Sequence, residues 1–413
     1  MSLSLSKQPD LRDFLTVRNF LAALSMVVFL IAWNRGITLL YGMLAMLIAV
    51  LLVSYIAPAL MLRGLNLQHR HPPRINEGET FPVSVSVTHN GGLARSMVEV
   101  WGEFAAAPED ERQHMSFLPL VKKHSQTALR FTADYRGVHQ VGPFTLKSAF
   151  PLGVHTVQRL LPDSVSEILV LPQTFPVGFF PYTSGDNTPL LGNNTVSIAG
   201  GNDVFFGVRD YRRGDNPRHI HWASTARHNS LIVKEFQTLT ATELTVVLDL
   251  HRQANYGEGK HSTLEYAIKI AASVAKHALA QGHHVRIMGF GAEVIDVPVH
   301  NSEQQFKALL DTLARVKADG SVPYEQAIQR TMDKVRQGSV VLAFAVPVPG
   351  TKASLAITPF TSKHVRPVWV QLHSDSFVHP VHRHKGGLQW YAGNQPVYSV
   401  YCHDDLAQVF ARP

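Results

Sequence analysis

The sequence predicts a multi-domain chain: an N-terminal transmembrane helical hairpin, a small all-β domain, and a C-terminal α/β domain with a doubly wound sheet. Three observations predict it. Residues 19–34 and 36–62 contain no charged side chain. Residues 66–172 hold short alternating runs separated by Gly, Pro and Asn. From Glu243 onward, apolar runs alternate with helical patterns, and strands alternating with helices imply crossovers and parallel pairing.

The N-terminal tail, residues 1–18, is polar and carries Lys7, Arg12 and Arg18. A bilayer core needs about 20 apolar residues, so the two uncharged runs read as helices over residues 19–34 and 37–60. No small-residue cleavage pattern follows the first run, which argues against a cleaved leader. Both runs are apolar all round, which argues against a buried hairpin of a soluble domain. Lys7, Arg12 and Arg18 precede the pair, Arg63, Arg70 and Arg74 follow it, and only Arg35 marks the tip. The positive-inside rule then places both ends, and the bulk of the chain, in the cytoplasm.

Over 413 residues, 38 Lys and Arg outnumber 31 Asp and Glu, a formal charge of +7. Such a balance suits nucleic acid or an anionic membrane surface. The hairpin accounts for it, and no basic block with interleaved aromatics marks a nucleic-acid module. Cys402 is the single cysteine. It excludes an internal disulfide and any multi-cysteine zinc site, and it fits a reducing compartment.

Residues 65–172 read as a β-sandwich-like domain. Residues 81–88, FPVSVSVT, alternate with period two between Gly78 and Asn90-Gly91-Gly92, the pattern of a half-buried strand. Residues 98–104 and 127–132 are further strands, and short strands with turns between them make a sandwich or barrel. Residues 173–240 comprise a linker and a charged segment. The linker, 173–204, is rich in Pro, Gly, Asn and Thr and reads as an irregular surface loop. Gly192, Gly200 and Gly201 make no phosphate-binding loop, because no Lys-Ser/Thr pair follows.

Residues 205–237 pack Arg209, Arg212, Arg213, Arg218, Arg227 and Lys234 against Asp210, Asp215 and Glu235, with Tyr211, Ile220 and Trp222 between. Gly214-Asp215-Asn216-Pro217 is turn chemistry, with Pro217 suited to the first helical position. The arginines follow neither a helical nor a strand period. They therefore read either as a local ion-pair network or as an anion-binding surface. The pattern R-x-Y-x-x-G-D-x-P-R-x-I-x-W-x-x-x-A-R, here Arg209, Tyr211, Gly214, Asp215, Pro217, Arg218, Ile220, Trp222, Ala226 and Arg227, resembles the signature of the bacterial DUF58 family. Arg136-Gly137-Val138, Gly142-Pro143 and Phe150-Pro151-Leu152-Gly153 resemble the region upstream of that signature, more loosely.

In residues 241–413, the run 244–250, LTVVLDL, reads as a central parallel strand buried on both faces. Ser262-Thr263-Leu264-Glu265 is a capping box opening a helix that Gly282 ends. Residues 284–290, 339–346, 365–372 and 397–402 are strands; 302–317, 324–336 and 404–411 are helices. This half resembles a von Willebrand factor A domain. The resemblance implies Mg²⁺ held by Asp-x-Ser-x-Ser after the first strand, with a Thr and an Asp from later loops. Here the run is Asp249-Leu250-His251-Arg252-Gln253, so both serines are missing. Of the later loops, Asp319-Gly320-Ser321 offers oxygens and Ala345-Val346-Pro347 lacks the Asp. One carboxylate is a poor octahedral site, so no metal or other cofactor is expected and Asp249 is a weak candidate only. The 22 histidines include the groups His219, His221, His228 and His373, His379, His382, His384, with no Glu or Cys at a familiar metal spacing.

Gly-x-Ser-x-Gly, His-Glu-x-x-His and kinase signatures are absent, so no motif supports catalysis. The expected function is a protein-interaction module in the bacterial inner membrane, its binding cluster Arg209, Tyr211, Arg213, Asp215, Arg218, Trp222 and Arg227. The DUF58 resemblance implies a MoxR-type AAA+ ATPase as partner in assembling or remodelling a protein complex. Within that reading Arg218 and Asp215 brace the fold and Trp222 packs on the α/β domain. The alternative is an enzyme for a phosphate-bearing or envelope-precursor substrate, with the arginines as anion site.

Overall fold

The computed structural model describes residues 17–182, 203–212, 215, 217–228, 230–238, 243–299, 302–336, 338–347, 360, 365–379, 386–391 and 395–411. The chain divides into two compact units, Met1–Gln173 with Leu310–Val316, and Thr174–Leu309 with Lys317–Pro413.

The first unit opens with α1 (Val17–Arg35) and α2 (Thr38–Leu62). At 1.5 Å per residue their 19 and 25 residues reach about 28 and 37 Å, against a hydrocarbon core of about 30 Å. Phe20, Met26, Trp33, Leu39, Met46 and Leu52 are exposed along them. Two hydroxyls bond within their own helix, Ser25 Oγ to Leu21 O and Ser54 Oγ to Val50 O, both at 2.7 Å. Such a bond to the carbonyl four residues back satisfies a helix hydroxyl locally. Both helices are long and apolar enough to span a membrane. The end of α2 is held by arginine. Arg159 Nη1 donates to Leu62 O at 3.3 Å and Leu65 O at 3.2 Å, and Arg95 Nη2 donates to Arg63 O at 3.2 Å. Helix-terminal carbonyls need such partners, and the dipole favours cations there.

The rest of this unit is sheet-rich. Its strands are β1 (Leu65–Arg70), β2 (Arg74–Asn76), β3 (Thr80–His89), β4 (Arg95–Glu103), β5 (Gln113–Val121), β6 (His124–Thr132), β7 (Gly137–Val141), β8 (Phe144–Ser148), β9 (Val157–Leu161) and β10 (Ser166–Leu171). Their sheets run β1-β3-β6, β5-β4-β8-β9 and β2-β10-β7. The three strands expected from alternation are present with shifted ends. Phe81, Val83, Val85 and Val87 of β3 point inward on every second residue and share a core with Val98 and Val100 of β4, Phe131 of β6 and Phe144 of β8. The rings of Phe81, Phe104 and Phe131 meet at centroid distances of 5.3 to 6.3 Å.

The upstream signature residues have structural roles. Buried Arg136 donates to the carbonyls of Leu313, Ala314 and Val316 at 2.9 to 3.3 Å. Gly142 has φ +99, and a Cβ there would lie 2.3 Å from Ser164 O, so no other residue fits without backbone movement. The Gly142–Pro143 and Phe150–Pro151 bonds are cis.

The second unit contains β11 (Asp203–Asp210), α3 (Trp222–His228), β12 (Ile232–Thr238), β13 (Glu243–Leu248), α4 (Thr263–Ala280), β14 (His284–Phe290), β15 (Val294–Val299), α5 (Glu303–Arg315), α6 (Tyr324–Met332), β16 (Val340–Ala345), β17 (Arg366–Leu372), α7 (Ser374–Val378), β18 (Gly387–Tyr391), β19 (Gln395–Val400) and α8 (Leu406–Val409). Two of these, β11 and β12, pair apart from the main sheet. Residues of α5 are shared between the units. The main sheet runs β15-β14-β13-β16-β17-β19-β18 among the described residues. Strands β14, β13, β16, β17 and β19 are parallel. The edges β15 and β18 are antiparallel; the sequence reading had no strand there. Pro298 in β15 has the edge position that a missing N–H permits.

Ser262 Oγ accepts the Glu265 amide at 3.4 Å as N-cap of α4, and Gly282 follows the helix at φ +81. Val247, Val341, Ala343, Trp369 and Val397 cluster with Ile328 and Met332 of α6. Their neighbours Val246, Leu248, Leu342, Phe344, Val368 and Val370 are also buried, so the parallel strands are covered on both faces.

The first part of the linker is not a surface loop. Phe180 and Tyr182 are buried. Gly178 and Phe179 donate to Phe410 O at 2.9 and 3.0 Å, Tyr398 Oη donates to Phe179 O at 3.1 Å, and Tyr182 Oη lies 2.7 Å from His277 Nδ1. Burial of aromatic side chains fixes this stretch without any strand period. Residues 183–202 lie outside the described residues.

From β13 the chain crosses to β14 on one side and later returns to β16 on the other. Their pairing ends at Val247 opposite Ala343. There the Tyr324 hydroxyl donates to Val247 O and accepts from Phe344 N, each at 2.8 Å. Tyr324→Phe leaves both buried backbone groups without that partner, so we expect a loss of about 1–3 kcal/mol. Denaturant unfolding of the detergent-solubilised chain measures it; an unchanged midpoint contradicts the bridge.

Candidate functional site

Two places gather chemically capable side chains. One is the carboxyl edge of the parallel sheet, where open α/β sheets take ligands. Asp249 stands one residue beyond β13, where the strand order reverses. Its Oδ1 accepts the His251 amide at 3.0 Å, which closes an Asx-type turn. Burial pushes its carboxyl up to about 6, with the His251 N–H pulling the other way.

The loop before α6 closes against this turn. Gly320 N donates to Leu250 O at 2.9 Å and Gly320 O accepts from Arg252 N at 3.0 Å. A Cβ at Gly320 would lie 2.3 Å from Phe290 O, so the approach is open to glycine alone. Asp319 Oδ1 accepts the Ala292 amide at 2.8 Å. Two candidate oxygen donors are thus occupied by backbone N–H groups, and Val346 and Pro347 after β16 offer no side-chain oxygen. This donor set does not fit the octahedral, oxygen-rich demand of Mg²⁺.

The second place is the signature segment. It forms an antiparallel pair, with Asp203 opposite Thr238 and Asp210 opposite Ile232, and a bulge between Phe205 and Gly207. The intervening chain folds back on β12. Tyr211 N donates to Leu231 O, His221 N donates to Ile232 O, and Ile220 bridges Val233. Ile232 and Val233 are buried. Arg209 grips Asp215 through Nη1 and Nη2, at 2.7 and 2.8 Å, and the Arg212 amide adds a third bond at 2.8 Å. That fork is the strong form of ion pair. The Arg209 hydrogen bond, then the Arg212 amide, pull the Asp215 carboxyl down to about 2.

Pro217 opens a short 3-10 turn, Pro217–His219, and α3 begins only at Trp222. His221 Nδ1 meets Ser224 Oγ at 2.7 Å, and Thr225 Oγ1 accepts Ile232 N at 3.0 Å. His221 is thus tied to Ser224 and Thr225 to β12, while Trp222 is left outward. Trp222 is 68% exposed, so the expected packing on the α/β domain is corrected. Arg218 and Arg227 are exposed and Tyr211 is half-buried, while Arg213 lies outside the described residues.

Of the histidine groups read from the sequence, His373 stacks on Tyr401 at 4.1 Å, and His382 and His384 lie outside the described residues. The structure instead brings together His261, Cys402 and His403. Sequence spacing held no sign of this cluster, because His261 is distant in the chain from Cys402 and His403 and the one cysteine has no partner cysteine.

The folded Asp249 carboxyl titrates above its ordinary 3.8, so the fold holds its proton more tightly than the unfolded chain. Stability is therefore lost as pH rises from about 4 through about 6. Asp249→Asn should be near neutral at pH 4 and stabilising by on the order of 1–3 kcal/mol at pH 8; equal effects at both pH values contradict it. Asp215 has the opposite sign: its contribution is present above about 4 and lost as pH falls through about 2. Asp215→Asn at neutral pH should therefore speed trypsin cleavage after Arg209 and Arg212 several-fold, and unchanged cleavage contradicts the brace.

Known proteins resemble this chain in part. Among solved structures, the CARDB domain of the Pyrococcus furiosus protein PF1109 is 12% identical, covering 26% of this chain and 94% of that one at a TM-score of 0.19. A PKD domain of an M14-like peptidase from a Thermoplasmatales archaeon is 15% identical, covering 26% of this chain and 91% of that one at 0.18. Likeness at that level bears on neither fold nor function. The uncharacterized protein YeaD of Bacillus subtilis (strain 168) is 26% identical over 137 residues, which are 33% of this chain and 32% of that relative. Residues 207–349, a stretch that begins within β11 and runs past β16, match the family described as "Protein of unknown function DUF58".

Proposed function

We propose that this protein is a membrane-anchored, cytoplasm-facing interaction module whose docking surface is the signature hairpin, and that it serves a MoxR-type AAA+ ATPase in assembling or remodelling a protein complex. The observation that carries this reading is the outward Trp222, with Arg218 and Arg227 also exposed on the same short segment. Tryptophan and arginine dominate binding energy at protein interfaces. The Arg209–Asp215 fork braces the segment beneath, and a braced surface loses less freedom on binding.

Other features support the remaining parts of the proposal. The charges flanking α1 and α2 favour a cytoplasmic bulk in the bacterial inner membrane. The parallel sheet with β13 at the reversal of strand order is the arrangement expected of a von Willebrand factor A-like domain, here binding through side chains rather than through Mg²⁺. An enzyme for a phosphate-bearing or envelope-precursor substrate is the second reading. Its support is the half-buried Asp249 carboxyl at the sheet's carboxyl edge; Arg209, committed to Asp215, does not favour it.

The test is co-purification of the detergent-solubilised chain with a MoxR-type ATPase from the same genome, with and without ATP. We expect a nucleotide-dependent complex that Trp222→Ala weakens about 10-fold or more, and that Arg218→Glu weakens by charge reversal. A complex of unchanged affinity when Trp222→Ala and Arg218→Glu are combined overturns the docking surface.

A further inference from the structure

We propose that His261, Cys402 and His403 form a mononuclear site for a zinc-class divalent ion at the carboxyl edge of the parallel sheet. It uses none of the residues of the docking hairpin and stands or falls independently of that reading. The ligand atoms of the three residues lie within 4.8 Å of one another. Donors around a tetrahedral zinc are separated by roughly 3.3–3.6 Å, given bonds near 2.0 Å to imidazole and 2.3 Å to thiolate. Closing the remaining gap takes side-chain adjustment of about 1 Å, within the reach of χ rotations.

The backbone that presents these groups is fixed from several directions. His261 ends the 3-10 turn Gly259–His261 and directly precedes Ser262, the N-cap of α4. Cys402 and His403 follow β19. The Cys402 amide donates to Ser376 Oγ at 2.9 Å, and the His403 amide donates to Tyr266 Oη at 2.9 Å. Asp404 Oδ2 gathers the Tyr401 and Gly386 amides at 2.7 and 3.1 Å. Adjacent residues in extended chain point to opposite sides. His403 instead has φ +67, a left-handed conformation uncommon outside Gly, Asn and Asp and often found at functional positions. That turn brings both neighbours to one point. The rings of His261 and His403 stand 4.4 Å apart.

The donor chemistry selects the ion class. One soft thiolate and two imidazoles suit Zn²⁺, and Co²⁺ as its spectroscopic substitute, whereas Mg²⁺ and Ca²⁺ want oxygen. Three protein ligands leave a fourth tetrahedral position for water or a substrate group. His403 is exposed and the other two are partly so, which gives the ion an entry path.

The single cysteine makes the test specific. The reduced, tag-free, detergent-solubilised chain is titrated with Co²⁺ and then with Zn²⁺. One equivalent of Co²⁺ should give visible bands of tetrahedral geometry together with a near-ultraviolet thiolate-to-cobalt band, and Zn²⁺ should erase both. Cys402→Ser should remove the thiolate band, while His261→Gln and His403→Asn should each weaken binding about 10-fold or more. Asn tolerates a positive φ, so the second variant preserves the turn, and circular dichroism checks each fold. Should a variant unfold, the wild-type spectrum still decides, because no other thiol can produce the band. Co²⁺ bound without a thiolate band, through other histidines alone, overturns the site, as does the absence of stoichiometric binding.

Discussion

The parting of β13 and β16 is the constraint on which the second unit is organised. A parallel ladder cannot continue where the crossovers on its two sides run in opposite directions, and its last carbonyl and amide must find other partners. Tyr324 supplies one hydroxyl that serves both Val247 O and Phe344 N. Beyond that point the loops turn on short-range polar contacts: Asp249 on the His251 amide, and Gly320 between Leu250 and Arg252. The same edge receives His373 after β17 and Cys402 and His403 after β19. Chemistry collects there because strand ends release side chains from the ladder while the sheet holds their backbones still.

The signature segment works by a different logic. Its residues divide by what they touch. Arg209 and Asp215 are bound to each other; Ser224 is bonded to His221 and Thr225 to β12; Trp222, Arg218 and Arg227 are exposed. A motif dense in arginine therefore holds one brace and one exposed face. Among the described residues, Arg209 is spent on Asp215, and that commitment favours a docking surface over a catalytic one. In the first unit, arginine again serves structure, with Arg159 and Arg95 closing the end of α2 and Arg136 held by three carbonyls.

Much of this was legible in the sequence where period and capping are local. The two uncharged runs became α1 and α2, the alternation at Phe81 to Val87 became β3, and the capping box at Ser262 opened α4. What escaped reading depends on distant partners. The edges β15 and β18 carry no continuous apolar run, because an edge strand is covered on one side only. The stretch at Phe180 and Tyr182 looked like a surface loop because its burial rests on Tyr398, Phe410 and His277. Pairing of β11 with β12 was hidden by charge density, and the outward turn of Trp222 depends on three hydrogen-bonding neighbours. The His261, Cys402 and His403 cluster has no spacing to read; only the converging ends of α4 and β19 bring it together.

The most direct measurement of the account is backbone hydrogen exchange on the detergent-solubilised chain, with and without a MoxR-type ATPase and ATP. A docking hairpin predicts protection gained over residues 209–233, with α4 and the ends of β13, β16 and β19 unchanged. Protection confined to those strand ends, with residues 209–233 exchanging as before, would contradict it and move the functional surface to the carboxyl edge of the sheet.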